Sequence, residues 1–252
     1  MKKLYDRSEI YDLTEQVSKH LWVREHYETV FAGKEIHTLL DVSIGTGGMT
    51  LPIADLGINL FGSDLSQNML DKCQKKCDQQ NIPITLKCSD FRSVSTKFPQ
   101  QFDCVISSGN SLGYVSNEDV LLTLEQMDHL VKKGGYLYFD MRNWDMILSK
   151  KPRYYLYNPS FIDDTRINLM QFWDYLPDGS MDFNLLYTFE KDNLIQQHER
   201  FVEHYIPIRQ QLLLDKLTQL GYQDMELYSM PKHKGAFNIE TTDWYCVIAR
   251  KA

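Results

Sequence analysis

Three carboxylates stand at or near the ends of three apolar runs: Asp41 after Leu39-Leu40, Asp64 after Ile58 to Gly62, and Asp90 after Ile84 to Cys88. The first leads into Gly45, Gly47 and Gly48 within LLDVSIGTGGMT, residues 39–50. Short apolar runs read as buried parallel strands, and glycines after one let the backbone bend tightly and approach a ligand where a side chain would obstruct it. Asp64 lies 17 residues beyond Gly47, where a carboxylate would accept hydrogen bonds from both hydroxyls of a ribose. Asp90-Phe91 would set an acceptor beside the exocyclic amine of adenine and an aromatic ring beside its face. These residue types and spacings suit the binding of an adenosine-containing ligand at one end of a sheet.

A glycine-rich turn does not by itself separate one nucleotide-binding fold from another. The downstream motifs do more. DVSIGTGG at 41–48, SDLSQNML at 63–70, SDF at 89–91, FDCVISS at 102–108 and KKGGYLYFD at 132–140 together resemble the class I S-adenosylmethionine-dependent methyltransferases over most of the chain. The resemblance implies S-adenosylmethionine as cofactor and S-adenosylhomocysteine as product. Gly45 and Gly47 would then face the methionine part, Asp64 the ribose, and Asp90 with Phe91 the adenine. Asp41, Ser43, Leu65 and Ser108 fall in the same motifs and are expected on the cofactor side. Ser43-Ile44 departs from the small or Gly-Cys residues common there, which predicts a tighter or differently hydrated turn. Arg24 is a candidate partner for the cofactor's carboxylate, with a solvated surface arginine as the alternative.

Two further stretches bear on the acceptor. Ser107-Ser108-Gly109-Asn110-Ser111 follows the fourth predicted strand, and Asp140-Met141-Arg142-Asn143-Trp144-Asp145-Met146-Ile147-Leu148 follows the fifth. Central strands would bring these loops face to face. GNS followed by DxRNxDxIL resembles the glycine and sarcosine N-methyltransferases, which implies that Arg142 and Asn110 hold a substrate carboxylate. A guanidinium grips a carboxylate through two parallel hydrogen bonds, and an asparagine adds a neutral donor. Arg142 pairing with Asp140, Asp145 or the lid is the structural alternative. Tyr114 is expected to line the site, and Tyr5, Tyr11, Tyr155, Tyr175 and Tyr205 lie in segments that reach it, although packing accounts for most tyrosines. His198 and His204 lack the HExxH zinc spacing and are candidate proton acceptors, or plain strand residues.

The elements that must position these residues follow from periodicity. Ser8 to Phe31 reads as one or two lid helices carrying Tyr11, Leu13, Val17, Leu21, Trp22 and Tyr27. Strands over 38–43, 58–63, 84–88, 102–107 and 135–141 alternate with helices over 47–56, 66–80 and 117–131, and Gly134-Gly135 breaks the last helix from its strand. Thr165 to Tyr205 reads as three strands turned at Pro177-Asp178-Gly179 and Lys191-Asp192-Asn193. A helix over 208–220 is stopped by Gly221, and residues 223–229 and 243–249 resemble the closing strand pair of the methyltransferase fold. The expected fold is α/β: a Rossmann-like class I methyltransferase sheet, mostly parallel with an antiparallel closing strand, plus an antiparallel β lid insertion. One domain is expected over 1–252: a helical lid at 1–36, a cofactor-binding core at 37–141, a substrate-side β insertion at 142–206, and a closing helix and strand pair at 207–252.

Composition fits a globular chain: 252 residues, 43% hydrophobic and 24% charged. A net charge of −7 argues against broad contact with nucleic acid. No apolar stretch reaches membrane-spanning length and the N-terminus has no apolar signal region, so a cytoplasmic protein is expected. Five cysteines suggest reduced thiols, and Cys73 and Cys77 lack the second pair a metal site would need. Thr50 stands where the third glycine of a nicotinamide-binding GxGxxG would be, and no NPPY-type base-methylating loop is present. The leading expectation is methyl transfer to a small molecule, favoured as a carboxylate-bearing amine such as glycine or sarcosine. Other acceptors (amino sugar, phenol) and a non-catalytic S-adenosylmethionine-binding protein are the alternatives. The oligomeric state stays open.

Overall fold

The computed structural model describes Leu4 and residues 17–231 and 236–252. Seven strands form the main sheet: β1 (Thr38–Asp41), β2 (Asn59–Asp64), β3 (Ile84–Cys88), β4 (Phe102–Ser107), β5 (Val131–Arg142), β11 (Tyr222–Ser229) and β12 (Trp244–Lys251). Their order is β11-β12-β5-β4-β1-β2-β3, with β12 antiparallel to both neighbours and the pairs from β5 to β3 parallel. This is the expected mostly parallel sheet with an antiparallel closing strand. The order reverses between β1 and β4, a switch point where the strand ends leave a crevice. Asp41, Asp64, Ser107 and Arg142 each end a strand at that edge.

The pleat divides the core. Leu40, Val105 and Phe139 join one buried cluster, whereas Leu39, Ile106 and Tyr138 join the other on the opposite face. Helix α1 (Val17–Val30) covers the second face through Val23, Tyr27 and Val30, helped by helix α2 (Gln67–Gln80) through Leu70, Cys73 and Cys77. Helix α3 (Asn117–Leu130) and helix α5 (Gln210–Gln219) pack on the first. Tyr5, Tyr11 and Leu13 lie outside the described residues, as does any second lid helix. No helix among the described residues is long and apolar enough to cross a membrane.

A second, antiparallel sheet holds β6 (Tyr154–Leu156), β7 (Ser160–Ile162), β8 (Thr165–Tyr175), β9 (Met181–Lys191) and β10 (Leu194–Tyr205). The three long strands match the expected insertion. Ile167, Leu169, Trp173, Phe183 and Phe201 bury its inner face in the first cluster. The two short strands and the seven-residue helix α4 (Trp144–Lys150) were not anticipated.

Three local expectations are corrected. No α-helix runs over 47–56: Gly47 has φ 87°, outside the helical region, so only a 3-10 helix, Leu51–Leu56, forms. The first strand closes at Asp41 rather than at 43. Gly134-Gly135 does not separate helix from strand, because β5 starts directly at Val131 and the glycines lie within it. Gly134 has φ 76°, a Cβ on Gly135 would meet the Asp103 carbonyl oxygen at 2.8 Å, and the pairing with β4 shifts there. The pair forms a bulge.

Candidate active site

The turn after β1 is organised by Asp41, which is fully buried. Its Oδ1 accepts from the Ser43 backbone N–H at 2.9 Å, and its Oδ2 accepts from the Ser108 hydroxyl at 2.7 Å and from the Thr50 hydroxyl. Ser43 Oγ in turn accepts from the Ser108 backbone N–H at 3.1 Å. One carboxylate therefore fastens the β1 turn to the β4 loop. Burial raises its pKa and the hydroxyl donors oppose that.

The two glycines of the turn do different things. Gly45, at φ 55°, has nothing within 4 Å of a would-be Cβ, so it faces open space. At Gly47 a Cβ would meet Leu51 Cγ at 2.7 Å and Cys73 Sγ at 3.0 Å. A side chain at Gly47 would thus run into the core, which restricts the position to glycine. Ile44 is buried against Gly62, where a Cβ would lie 2.5 Å from Ile44 Cδ1, which accommodates the unusual Ser43-Ile44 pair.

Asp64 Oδ2 accepts from the Gly45 N–H and Oδ1 from the Ser66 N–H, both at 2.9 Å. Burial pushes its pKa up. With the Leu65 N–H as a third donor, the carboxylate still has acceptor capacity for one more. Leu65 follows it with 71% of its surface exposed at the strand ends. Phe91 is partly buried against the first core cluster. Asp90 caps the 3-10 helix Phe91–Thr96, and its carboxylate is held below its ordinary pKa by Arg92, whose Nη2 lies 2.6 Å from Oδ2. Arg24 pairs with Glu28 along α1 at 2.9 Å and is not among the cavity residues, whereas Trp22 is.

A cavity of about 610 Å³ opens over these strand ends, lined by Trp22, Met49, Gly109, Arg142, Tyr155 and Trp244 among others. Arg142 is only 9% exposed. Its Nη2 donates to Tyr157 Oη at 3.2 Å and Gln171 Oε1 at 3.5 Å, and its Nε is buried without an acceptor. The guanidinium lies 5.1 Å from the ring centres of Phe183 and Trp244 and 5.4 Å from that of Trp173. Burial works against its charge, yet the tyrosine hydroxyls of Tyr157, Tyr205 and Tyr114 more than offset this and its pKa is raised.

The proposed acidic partners of Arg142 are engaged elsewhere: Asp145 holds Arg209 at 3.0 Å, and Asp140 accepts from the Gly109 N–H and Trp244 Nε1. Among the described residues no carboxylate forms an ion pair with Arg142. Asn110, at φ 63°, accepts from the Arg142 backbone N–H at 3.0 Å through Oδ1, and its buried Nδ2 has no acceptor. Tyr114 and Tyr205 share a 2.8 Å hydrogen bond beside it.

Other expectations dissolve. Both histidines are exposed, His204 pairing with Asp182 at 2.8 Å, so neither is brought to the cavity. Tyr175 donates to the Pro152 carbonyl oxygen. Asn143 caps α4 and ties down the carbonyls of Ile239 and Thr242, a structural anchor for the loop over the cavity. Trp22, Met49 and Trp244 line the cavity and were missed; of these Trp22 carried a signal, its place in the helical spacing.

Residues 39–135 match the family model described as a methyltransferase domain. The chain is 27% identical over 224 residues to the glycine/sarcosine N-methyltransferase of Aphanothece halophytica, covering 84% of this chain and 76% of that protein. It is 26% identical to the glycine/sarcosine/dimethylglycine N-methyltransferase of Actinopolyspora halophila, of which it spans 36%. Its fold matches the crystal structure of an S-adenosylmethionine-dependent methyltransferase from Clostridium acetobutylicum, with TM-score 0.74, 16% identity and 98% of each chain covered. These likenesses support a class I S-adenosylmethionine-dependent methyltransferase. The methyltransferase also shares its fold with CalS10, an amino pentose methyltransferase from Micromonospora echinaspora, at TM-score 0.74 and 13% identity over 100% of this chain and 98% of that one.

The turn of this methyltransferase fits such a cofactor. Open space over Gly45, a carboxylate at Asp64 with acceptor capacity left and an exposed leucine beside it are compatible with the backbone approach, ribose acceptor and apolar surface that an adenosine group requires.

Proposed function

We propose that the methyltransferase methylates the amine of a small carboxylate-bearing acceptor such as glycine or sarcosine. The observation that carries this reading is Arg142: a buried guanidinium on the cavity wall with no acidic partner among the described residues and an unused Nε. A buried cation left without an anion is costly, and a substrate carboxylate would supply one through two parallel hydrogen bonds. Asn110 Nδ2 adds a donor, and Tyr114 with Tyr205 closes the aromatic wall beside it. The names of the two relatives point to the same acceptor class.

On the cofactor side, Gly45 takes the methionine part, Asp64 the ribose and Leu65 one adenine face, with Phe91 at the other. Asp41, Ser43, Ser108 and Gly47 hold the turn in shape. Asp90 reaches the adenine amine only alongside its bond to Arg92, and Arg24 reaches the cofactor carboxylate only by leaving Glu28. S-adenosylmethionine brings a methyl group already activated by its sulfonium, and S-adenosylhomocysteine leaves as product. The protein's part is to hold the amine lone pair in line with the carbon–sulfur bond and to exclude water.

An amino sugar acceptor is the second reading. A cavity of about 610 Å³ with Tyr155 and Tyr157 on its wall has room for a larger acceptor than glycine.

Calorimetry and methyl-transfer assays of Arg142→Ala test the proposal. S-adenosylmethionine binding stays near wild type while kcat/KM for glycine or sarcosine falls about 100-fold, as expected for a lost charge-assisted pair. Undiminished activity on a carboxylate-bearing amine, or activity confined to amino sugars, defeats it.

A further inference from the structure

Asp140 is a second charged group on the Arg142 face of β5, and the carboxylate reading of Arg142 does not use it. The two residues are two apart on one strand, so their side chains project from the same side, yet they form no ion pair with each other. Asp140 is 1% exposed. Its Oδ1 accepts from the Gly109 N–H at 3.0 Å and from Trp244 Nε1 at 2.9 Å. Its Oδ2 has only the Tyr138 hydroxyl, at 3.5 Å. Gly109 and Trp244 both line the cavity, as does Met230, whose sulfur lies 3.8 Å from Tyr138 Oη. The carboxyl therefore sits directly beneath the cavity wall, with its less satisfied oxygen on a short chain of exchangeable protons: Tyr138 Oη is 3.2 Å from His26 Nε2.

We propose that Asp140 is the cavity's receptor for the acceptor's ammonium group and the base that takes its proton, so that Arg142 and Asp140 together select a zwitterion. The proposal rests on the carboxylate reading of Arg142. An amine delivered as ammonium has no lone pair and cannot attack. Proton transfer from that nitrogen to Asp140 gives a neutral amine and a carboxylic acid. The amine lone pair then forms the nitrogen–carbon bond as the carbon–sulfur bond breaks, its electron pair passing to sulfur. Asp140 gives up its proton again before the next turnover, with the Tyr138 hydroxyl as its nearest exchange partner.

The surroundings suit a group that changes charge. Burial, with Asp41 adding repulsion, pushes the Asp140 carboxyl up to about 7, against the pull of Trp244 and the Gly109 N–H. Among the described residues, the titratable groups around it are Tyr138 on β5, Asp41 on β1 and Tyr27 on α1, with His26 on α1 and Cys246 on β12 next to Tyr138. Two of these, Tyr27 and Tyr138, have pKa values raised by burial and stay neutral. A cation entering beside Asp140 would favour its ionised form.

The two halves of the zwitterion can be tested apart, using acetate and methylammonium as probes with the full-length protein. Carboxylate carbon NMR follows the Asp140 titration, assigned by its loss in Asp140→Asn. Saturating methylammonium or glycine is expected to lower the midpoint by about one unit or more, and acetate to leave it in place. In Arg142→Ala the methylammonium shift persists and acetate binding is lost, so failure of the carboxylate reading alone leaves the ammonium response visible. In methyl transfer, Asp140→Asn is expected to show kcat rising about tenfold per pH unit above neutrality, following the free amine, where the wild type levels off. A midpoint that ignores methylammonium, or an Asp140→Asn pH profile of wild-type shape, overturns the proposal.

Discussion

Asn110 shows how one side chain serves geometry and recognition at once. Its left-handed backbone, φ 63°, is a conformation asparagine and aspartate adopt more readily than most residues, and its Oδ1 fixes the Arg142 backbone. Its Nδ2 is the free donor. Asn110→Asp keeps the conformation and the acceptor but exchanges the donor for negative charge, so the variant is expected to fold while KM for a carboxylate-bearing amine rises at least about tenfold. Steady-state kinetics beside a thermal melt checks this, and an unchanged KM would remove Asn110 from the acceptor site. Asn110, Arg142, Asp41 and Asp64 were legible because each sits in a local motif at a strand end. Trp244 was not recognisable as a neighbour of the cavity. Trp244 arrives opposite Arg142 only through the antiparallel pairing of β12 with β5, across about a hundred residues of chain. Asp90 and Arg24 each have a short-range charge partner, Arg92 and Glu28, two and four residues away.

The turn between β1 and the 3-10 helix separates two uses of glycine. At Gly45 a methyl group meets nothing in the protein and carries only the strain of φ 55°. At Gly47 the same methyl runs into Leu51 and Cys73 at φ 87°. Gly47→Ala is therefore expected to cost about 2–4 kcal/mol of stability, from backbone strain and overpacking together. Gly45→Ala is expected to cost about 1 kcal/mol while weakening S-adenosylmethionine binding more than tenfold, because the methyl fills ligand space. Chemical denaturation with parallel calorimetry separates them; equal stability losses, or intact binding in Gly45→Ala, contradict the assignment. The same conformational demand explains where the predicted elements failed. The parallel core strands and the three long insertion strands followed from apolar runs and turn residues, and the closing pair from the resemblance, whereas the strand order came only with the structure. The helix expected from residue 47 did not form because positive φ at Gly45 and Gly47 prevents helical continuation, and the Gly134-Gly135 bulge depends on pairing with β4 that periodicity does not encode.

Across the molecule, buried acids on the α1 face set how stability varies with pH. Asp140 keeps its proton up to about 7 when folded, against an ordinary value of 3.8, and Asp41 is raised in the same direction by burial. Between those two pH values the folded protein binds more protons than the unfolded chain, so this contribution lowers stability as pH rises from about 4 to about 7. Acids with depressed pKa values act in reverse. Asp90, bonded to Arg92, and Asp103, where Lys132 and Thr38 outweigh burial, contribute stability that is lost as pH falls through their folded values. Asp140→Asn isolates the first effect. The amide oxygen can accept from the Gly109 N–H and Trp244 Nε1 as Oδ1 does, and the amide nitrogen can donate to the Tyr138 hydroxyl oxygen. The variant is expected to gain on the wild type as pH rises from 5 to 7, by at most about 1.4 kcal/mol per unit. Urea denaturation at several pH values measures the difference, and a constant gap from pH 5 to 8 would mean that Asp140 ionises normally in the folded protein. A rising gap would show that the fold itself spends stability to keep a protonatable acid beneath the cavity.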